Sequence, residues 1–250
     1  MRIVAASIAA CLMLGQPASA DRAEEAFVAG DFLEAAQIAE AEGGAANYAR
    51  AARCLLADIV VSGALNEGRL KTAETLARQS LDLDPQHPEA RLQLAIALSL
   101  LSRDMSVREA LDSGNASTAR DLVESVIEDE PGNVYAHGFL AVWHVEVVRR
   151  GGSLGSAFMK ASMADAFAHY RAAIATGESD ASLHWQFARA LAAHDAQKYA
   201  AEISILLERA ATDRSPTALS DRMQARAAAF GDYIESHTRR DVERYARSLL

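Results

Sequence analysis

One set of spacings returns along this 250-residue chain and limits its fold more than any other feature. From Gly68 the chain places Ala73, Ala77, Ser80 and Pro85; from Gly114, at the same offsets, it places Ala119, Val123, Val126 and Pro131. Gly30 opens a shorter instance with Ala35, Ala39 and Glu42, and Asp195 opens one with Ala200, Ser204, Leu207 and Thr212. A fifth keeps Ala166, Tyr170, Ala173 and Glu178 without an opening glycine. A second set follows the closing residue: Leu94, Ala95 and Leu98 after Pro85, Leu140, Ala141 and His144 after Pro131, Phe187, Ala188 and Leu191 after Glu178. Agreement at this many offsets in separate segments marks an internal repeat. Steps of three and four put these residues on one face of a helix, so each unit reads as a helical hairpin with small residues where two helices meet. Pro85 and Pro131 follow acidic ends and stop their helices, because the ring cannot continue the hydrogen-bond ladder. Each hairpin leaves an apolar face that only a neighbour can cover, so the units stack.

Composition agrees with helices and excludes other classes. Alanine is about one residue in five, while aromatic residues are 6%; strands favour β-branched and aromatic side chains, so a sheet protein is not expected. Half the chain is hydrophobic, too much for disorder. Two cysteines cannot frame a disulfide scaffold of this length. A net charge of −9 has the wrong sign for phosphate, so no nucleic-acid partner is expected.

Residues 1–20 read as an address. Arg2 precedes the apolar run Ile3–Leu14, and Ala18-Ser19-Ala20 supplies the small-x-small pattern of a secretory signal peptide cut before Asp21. A rival reading makes Ile8-Ala9-Ala10-Cys11 a lipoprotein signal acylated at Cys11, with a very short apolar stretch before it. No other segment is long and uncharged enough to span a bilayer. Cleavage leaves Cys54 alone, within Arg53-Cys54-Leu55-Leu56, and it reads as a small buried hydrophobe.

Gly68-x-x-x-x-Ala73 with Leu83-Asp84-Pro85, and Gly114-Asn115-x-x-x-Ala119 with Glu130-Pro131, resemble the tetratricopeptide repeat family. The resemblance covers residues 21–213 and implies an all-α fold, a right-handed α-α superhelix of four to five hairpins. It departs from the family at the usual tryptophan position, which holds Arg91, His137 and His184. The spacing is also irregular, which predicts insertions at Leu101–Ser113 and Arg149–Ser162, where loops often carry a binding face. Residues 214–250 read as a capping helix, entered at Ser215-Pro216 and running to about Phe230, followed by a polar, arginine-rich end that forms a short helix or a loose tail.

No catalytic arrangement stands out. Gly151-Gly152-Ser153-Leu154-Gly155 has the form of a hydrolase nucleophile elbow, but it follows a helical pattern rather than a strand, so a serine hydrolase at Ser153 is a remote alternative. The same stretch reads better as a helix-to-helix loop. Arg149 and Arg150 beside a helix capped by Ser153 or Ser156 suggest an anion or carboxylate site. His137 and His144 lie two turns apart, too far to chelate one ion unaided, and His137 falls at the same repeat position as His184; these read as structural, and neither metal nor cofactor is expected.

In the family the first helix of each hairpin lines a concave groove. By offset, the groove-facing residues here are Glu89, Leu92 and Ile96, then Tyr135, Val142 and Glu146, then Ser182, Trp185 and Arg189. Tyr135, Trp185 and Arg189 are of the types that anchor interfaces. The resemblance therefore implies a non-catalytic, periplasmic scaffold that binds a protein or peptide partner through Tyr135, Glu146, Trp185 and Arg189 together with Arg149, Arg150 and Ser153 of the Arg149–Ser156 loop. An accessory that encloses a solute or lipid is the alternative.

Overall fold

The computed structural model describes residues 19–177 and 180–250, and these contain thirteen helices and no strand. In chain order they are α1 (Ser19–Ala29), α2 (Phe32–Glu42), α3 (Ala45–Ser62), α4 (Glu67–Leu83), α5 (Pro88–Leu101), α6 (Val107–Ser113) and α7 (Asn115–Asp129). There follow α8 (Val134–Met159), α9 (Met163–Ala175), α10 (Ala181–Asp195), α11 (Ala200–Thr212), α12 (Ala218–Ser236) and α13 (Arg239–Ser248). Most of the segment read as a signal, with Cys11, lies outside the described residues, as does the closing Glu178.

Local chemistry sets the helix ends as the sequence suggests. α4 and α7 stop before Pro85 and Pro131. Asn66, Asn133, Ser162 and Asp180 each accept a backbone N–H of the following first turn, which satisfies a donor the helix itself cannot. α5 begins with Pro88 in its first turn, where a missing N–H costs nothing. Gly68, at the place of the repeat's opening turn, lies instead inside the first turn of α4. The last helix pair is entered later than Ser215-Pro216 suggests: Thr217 is the cap of α12.

The repeat positions form the core. Ala35, Ala73, Ala95, Ala119, Ala141, Ala166 and Ala188 are all fully buried. The register fails once. Ala200 and Ser204 are exposed, and the buried set on α11 is Ile203, Leu206, Leu207 and Ala210, of which only Leu207 is a position the spacing named. Two helical rows result. α2, α4, α7, α9 and α11 each pack on a neighbour from the other row, α3, α5, α8, α10 and α12, whose members also touch in succession. Gly138 allows α8 to close on α10, since a Cβ there would stand 2.6 Å from Leu183 Cδ1. Cys54 is buried as read, and burial pushes its thiol up to about 11.

The C-terminal region does more than cap an end. α12 packs on α10 and α11 and also reaches α1 and α3 at the other end of the row. Gly30 is held at φ +92° with the Ala218 Cβ only 2.7 Å from where a Cβ of its own would stand, and Arg226 donates to the Val61 carbonyl at 3.1 Å. α13 is no loose tail. It packs on α10 with Val242 and Ala246 buried.

Candidate functional site

The residues predicted to line a groove divide into two groups. Trp185, on α10, has no exposed surface and meets Phe230 of α12 edge to face, with ring centroids 5.6 Å apart. Its indole N–H has no acceptor, so packing alone holds it. Trp185 is therefore a core residue and not a partner anchor, because α12 occupies the face it presents. Arg189, one turn on, is 5% exposed; it donates to Glu146 Oε1 and to the Ala246 carbonyl near the end of α13, both at 3.4 Å. Glu146 also takes two donors from Arg149, at 2.9 and 2.5 Å. Burial pushes the Glu146 carboxyl up, but Arg189, Arg149 and Arg103 together outweigh it and hold the group below the usual carboxylate range. Burial, reinforced by Arg189, lowers Arg103 to about 10 while its guanidinium donates to the carbonyls of Arg247 and Leu249. Arg103 and Arg189 thus satisfy carbonyls that the end of α13 leaves unpaired, at the negative pole of that helix. The sequence placed Glu146 and Arg189 on a partner-facing wall. In the structure they fasten the chain to itself.

The Arg149–Ser156 stretch is likewise not the loop the sequence suggested. Two helical segments make up α8 and meet there at a kink, Gly152, whose φ of +57° and ψ of −155° suit glycine alone. Ser156 donates to the Gly152 carbonyl at 2.6 Å, within the helix. The two arginines do not converge on an anion. Arg149 is spent on Glu146, and Arg150 donates to the carbonyls of Ser102 and Met105, at 3.2 and 2.6 Å. Ser153 is exposed and no histidine is hydrogen-bonded to it, so the geometry of a serine nucleophile is absent there.

What the stretch presents is apolar. Leu154 is 85% and Phe158 77% exposed, one turn apart on the last part of α8. The first insertion stands beside it. Arg150 holds the Ser102–Met105 segment, Trp143 of α8 donates to the Ala116 carbonyl, and Arg120 of α7 donates to the Met159 carbonyl. Between these anchors lies α6, an additional helix closed by a reciprocal cap between Ser106 and Glu109, with Val107 and Leu111 exposed. Sequence spacing marked both insertions but gave no sign that α8 stays helical or that the two meet.

Tyr135 remains half-exposed at the start of α8 and donates to Asp180 Oδ2 at 3.0 Å. Burial and the Asp180 charge raise its phenol. A shallow depression of about 450 Å³ runs along Glu130–Tyr135, and another of about 520 Å³ lies along Glu24, Glu25, Val28 and Ala29. Neither is walled by the buried apolar side chains that an enclosed solute or lipid needs.

Two of the three buried polar residues at the repeat's tryptophan position share a task. The Arg91 Nε donates to the Pro85 carbonyl at 3.2 Å and His137 Nε2 to the Pro131 carbonyl at 3.0 Å, each fastening the turn that precedes its helix. His184 instead meets the Tyr170 hydroxyl at 2.8 Å. His137 and His144 are joined by His169 of α9, which the sequence did not single out. His137 Nδ1 and His169 Nδ1 are 2.9 Å apart, and the His169 and His144 rings stack at 5.5 Å. Among the described residues no three histidine, cysteine or acidic side chains are arranged to hold a metal ion, and no helix is long and apolar enough to cross a membrane. No protein-family model matches the chain, and no curated protein matches it.

Proposed function

We propose that this chain is a non-catalytic protein-binding scaffold of the bacterial cell envelope, a right-handed tetratricopeptide-like stack that holds a protein or peptide on the ridge made by its two insertions. The observation that carries the reading is the exposure of Leu154 and Phe158 on a helix whose base is fixed by Arg150 and Met159. Two large apolar side chains held out together on a fastened support favour partner contact. The row of α8 and α10 is the weaker candidate, because Trp185 and Arg189 already serve α12 and α13.

The test is a photo-crosslinking amino acid placed at Phe158, with one at exposed Ala201 of α11 as control, in cells that make the full chain. A discrete adduct at position 158, lost when Leu154→Ser is added, supports the ridge. Equal labelling at both positions sinks it. The periplasmic location rests on the Met1–Ala20 pattern. It is checked by the N-terminus of the chain recovered from the envelope, which should be Asp21.

A further inference from the structure

We infer that His137, His144 and His169 form a proton-operated latch that fixes the end of α8, so that acidification frees the Gly152–Lys160 segment. The hydrogen bonds assign the rings. His137 Nε2 faces a carbonyl, which can only accept, so it carries the proton and leaves Nδ1 to accept from His169 Nδ1–H at 2.9 Å. His144 Nδ1 accepts the Ser162 N–H at 3.3 Å, so this ring too is neutral. A proton added to His169 can enter at Nε2 and leave its Nδ1–H bond to His137 in place. A proton on His144 Nδ1 has no such outlet, since it would point at an N–H.

The surroundings offer little compensation. Asp165 of α9 is the nearby carboxylate, and its Oδ2 is already bonded to the Ser162 hydroxyl at 2.7 Å. Arg120 of α7 opposes a cation at His144. The other elements packed on α8 turn their charged groups elsewhere: Arg91 of α5 to Asp129, and Arg189 of α10 to Glu146. Across the pair, Arg209 of α11 and His184 of α10 go to Tyr170. Burial lowers His144, and burial with the neighbouring rings lowers His169 to about 4.

Ser162 is where the latch reaches the ridge. The segment that carries Leu154 and Phe158 is tied between Gly152, where nothing would crowd even a Cβ, and the cap of α9 at Ser162. Lys160 between them sits at φ +52°, outside helical geometry. Losing the Ser162 N–H bond to His144 therefore removes one of the ties at that end of the segment, leaving the Arg120 bond to the Met159 carbonyl, while the helix is already broken at Gly152 at the other. That this changes docking rests on the function proposed above; the latch itself does not.

Trp143 reports the event, since its ring meets His144 edge to face at 5.1 Å and a charged imidazole quenches indole fluorescence. In the full chain with Trp185→Phe, fluorescence is followed from pH 8 to pH 4, beside the mobility of a spin label on Ala157→Cys and, as control, on Ala201→Cys. The expected result is several-fold quenching with a midpoint below 6.5, with label mobility rising in the same range at position 157 and not at 201. His144→Gln should abolish the quenching and leave the label at 157 insensitive to pH. Quenching without a change in mobility at 157, or the same mobility change at 201, overturns the latch. None of these readouts involves a partner, so they fail or succeed apart from the crosslinking test.

Discussion

The α8–α10 region around Glu146, Trp185 and Arg189 and the ridge around Leu154 and Phe158 have opposite fates. The α8–α10 region carries the residue types most common at binding hot spots, yet α12 and α13 cover them. The ridge, which offered a glycine-rich stretch and two arginines, instead presents bare leucine and phenylalanine. The difference teaches that residue type marks where energy is concentrated, while exposure depends on whether the chain returns to cover the site. Here the covering elements come from the last forty residues and lie far in sequence from the residues they cover.

Substitutions separate the two regions by size of effect. Trp185→Ala should cost the most, about 3–5 kcal/mol, because a fully buried ring leaves a cavity between α10 and α12. A melting temperature unchanged by this variant would return Trp185 to the groove. Glu146→Gln should follow at about 2–3 kcal/mol, since Arg103, Arg149 and Arg189 would lose their shared counter-charge while the site keeps a solvent edge. Denaturant unfolding measures it, and Arg149→Ala in the same background should recover part of the loss by removing one unpaired cation.

Acid should act next. His144, His169, His184 and His194 are lowered mainly by burial, so the unfolded chain binds more protons than the folded one below about pH 6.5. The contribution of these groups is complete above that pH and is lost as pH falls toward about 4, where His169 titrates. Urea midpoints at pH 7.5, 6 and 5 should fall in that order, and less steeply in His169→Gln. The smallest effect on stability belongs to the ridge. Leu154→Ser with Phe158→Ser should move unfolding by no more than about 0.5 kcal/mol, since neither side chain is packed. A large loss of stability would mean that these residues hold the fold rather than a partner.

Much of the fold is legible in the sequence because small residues at steps of three, four and seven are a local pattern. The proline stops, the buried alanines and the polar residues at the tryptophan position follow from it directly. The register of α11 slipped because Ala200 satisfies the same spacing that Ile203 satisfies in space, and a single-residue pattern does not weigh the bulk of its members. α13 was left open between a short helix and a loose tail, because a ten-residue helix with two buried apolar positions resembles any arginine-rich end. Of the candidate site, Tyr135 stays accessible and Glu146, Arg149 and Arg189 do come together. Their meeting is internal, which spacing along the chain does not encode.

The sequence by itself determined that this chain is helical, where α4 and α7 stop and, Ala200 apart, which repeat alanines lie between helices, because each depends on contacts within or between adjacent helices. Only the tertiary structure decided that α12 returns to the first helices, that α13 docks on Arg103 and Arg189, that His169 completes a histidine cluster and that Leu154 and Phe158 stay bare. Those outcomes depend on surfaces formed by residues far apart in the chain, and a surface of that kind exists only once the intervening helices have packed.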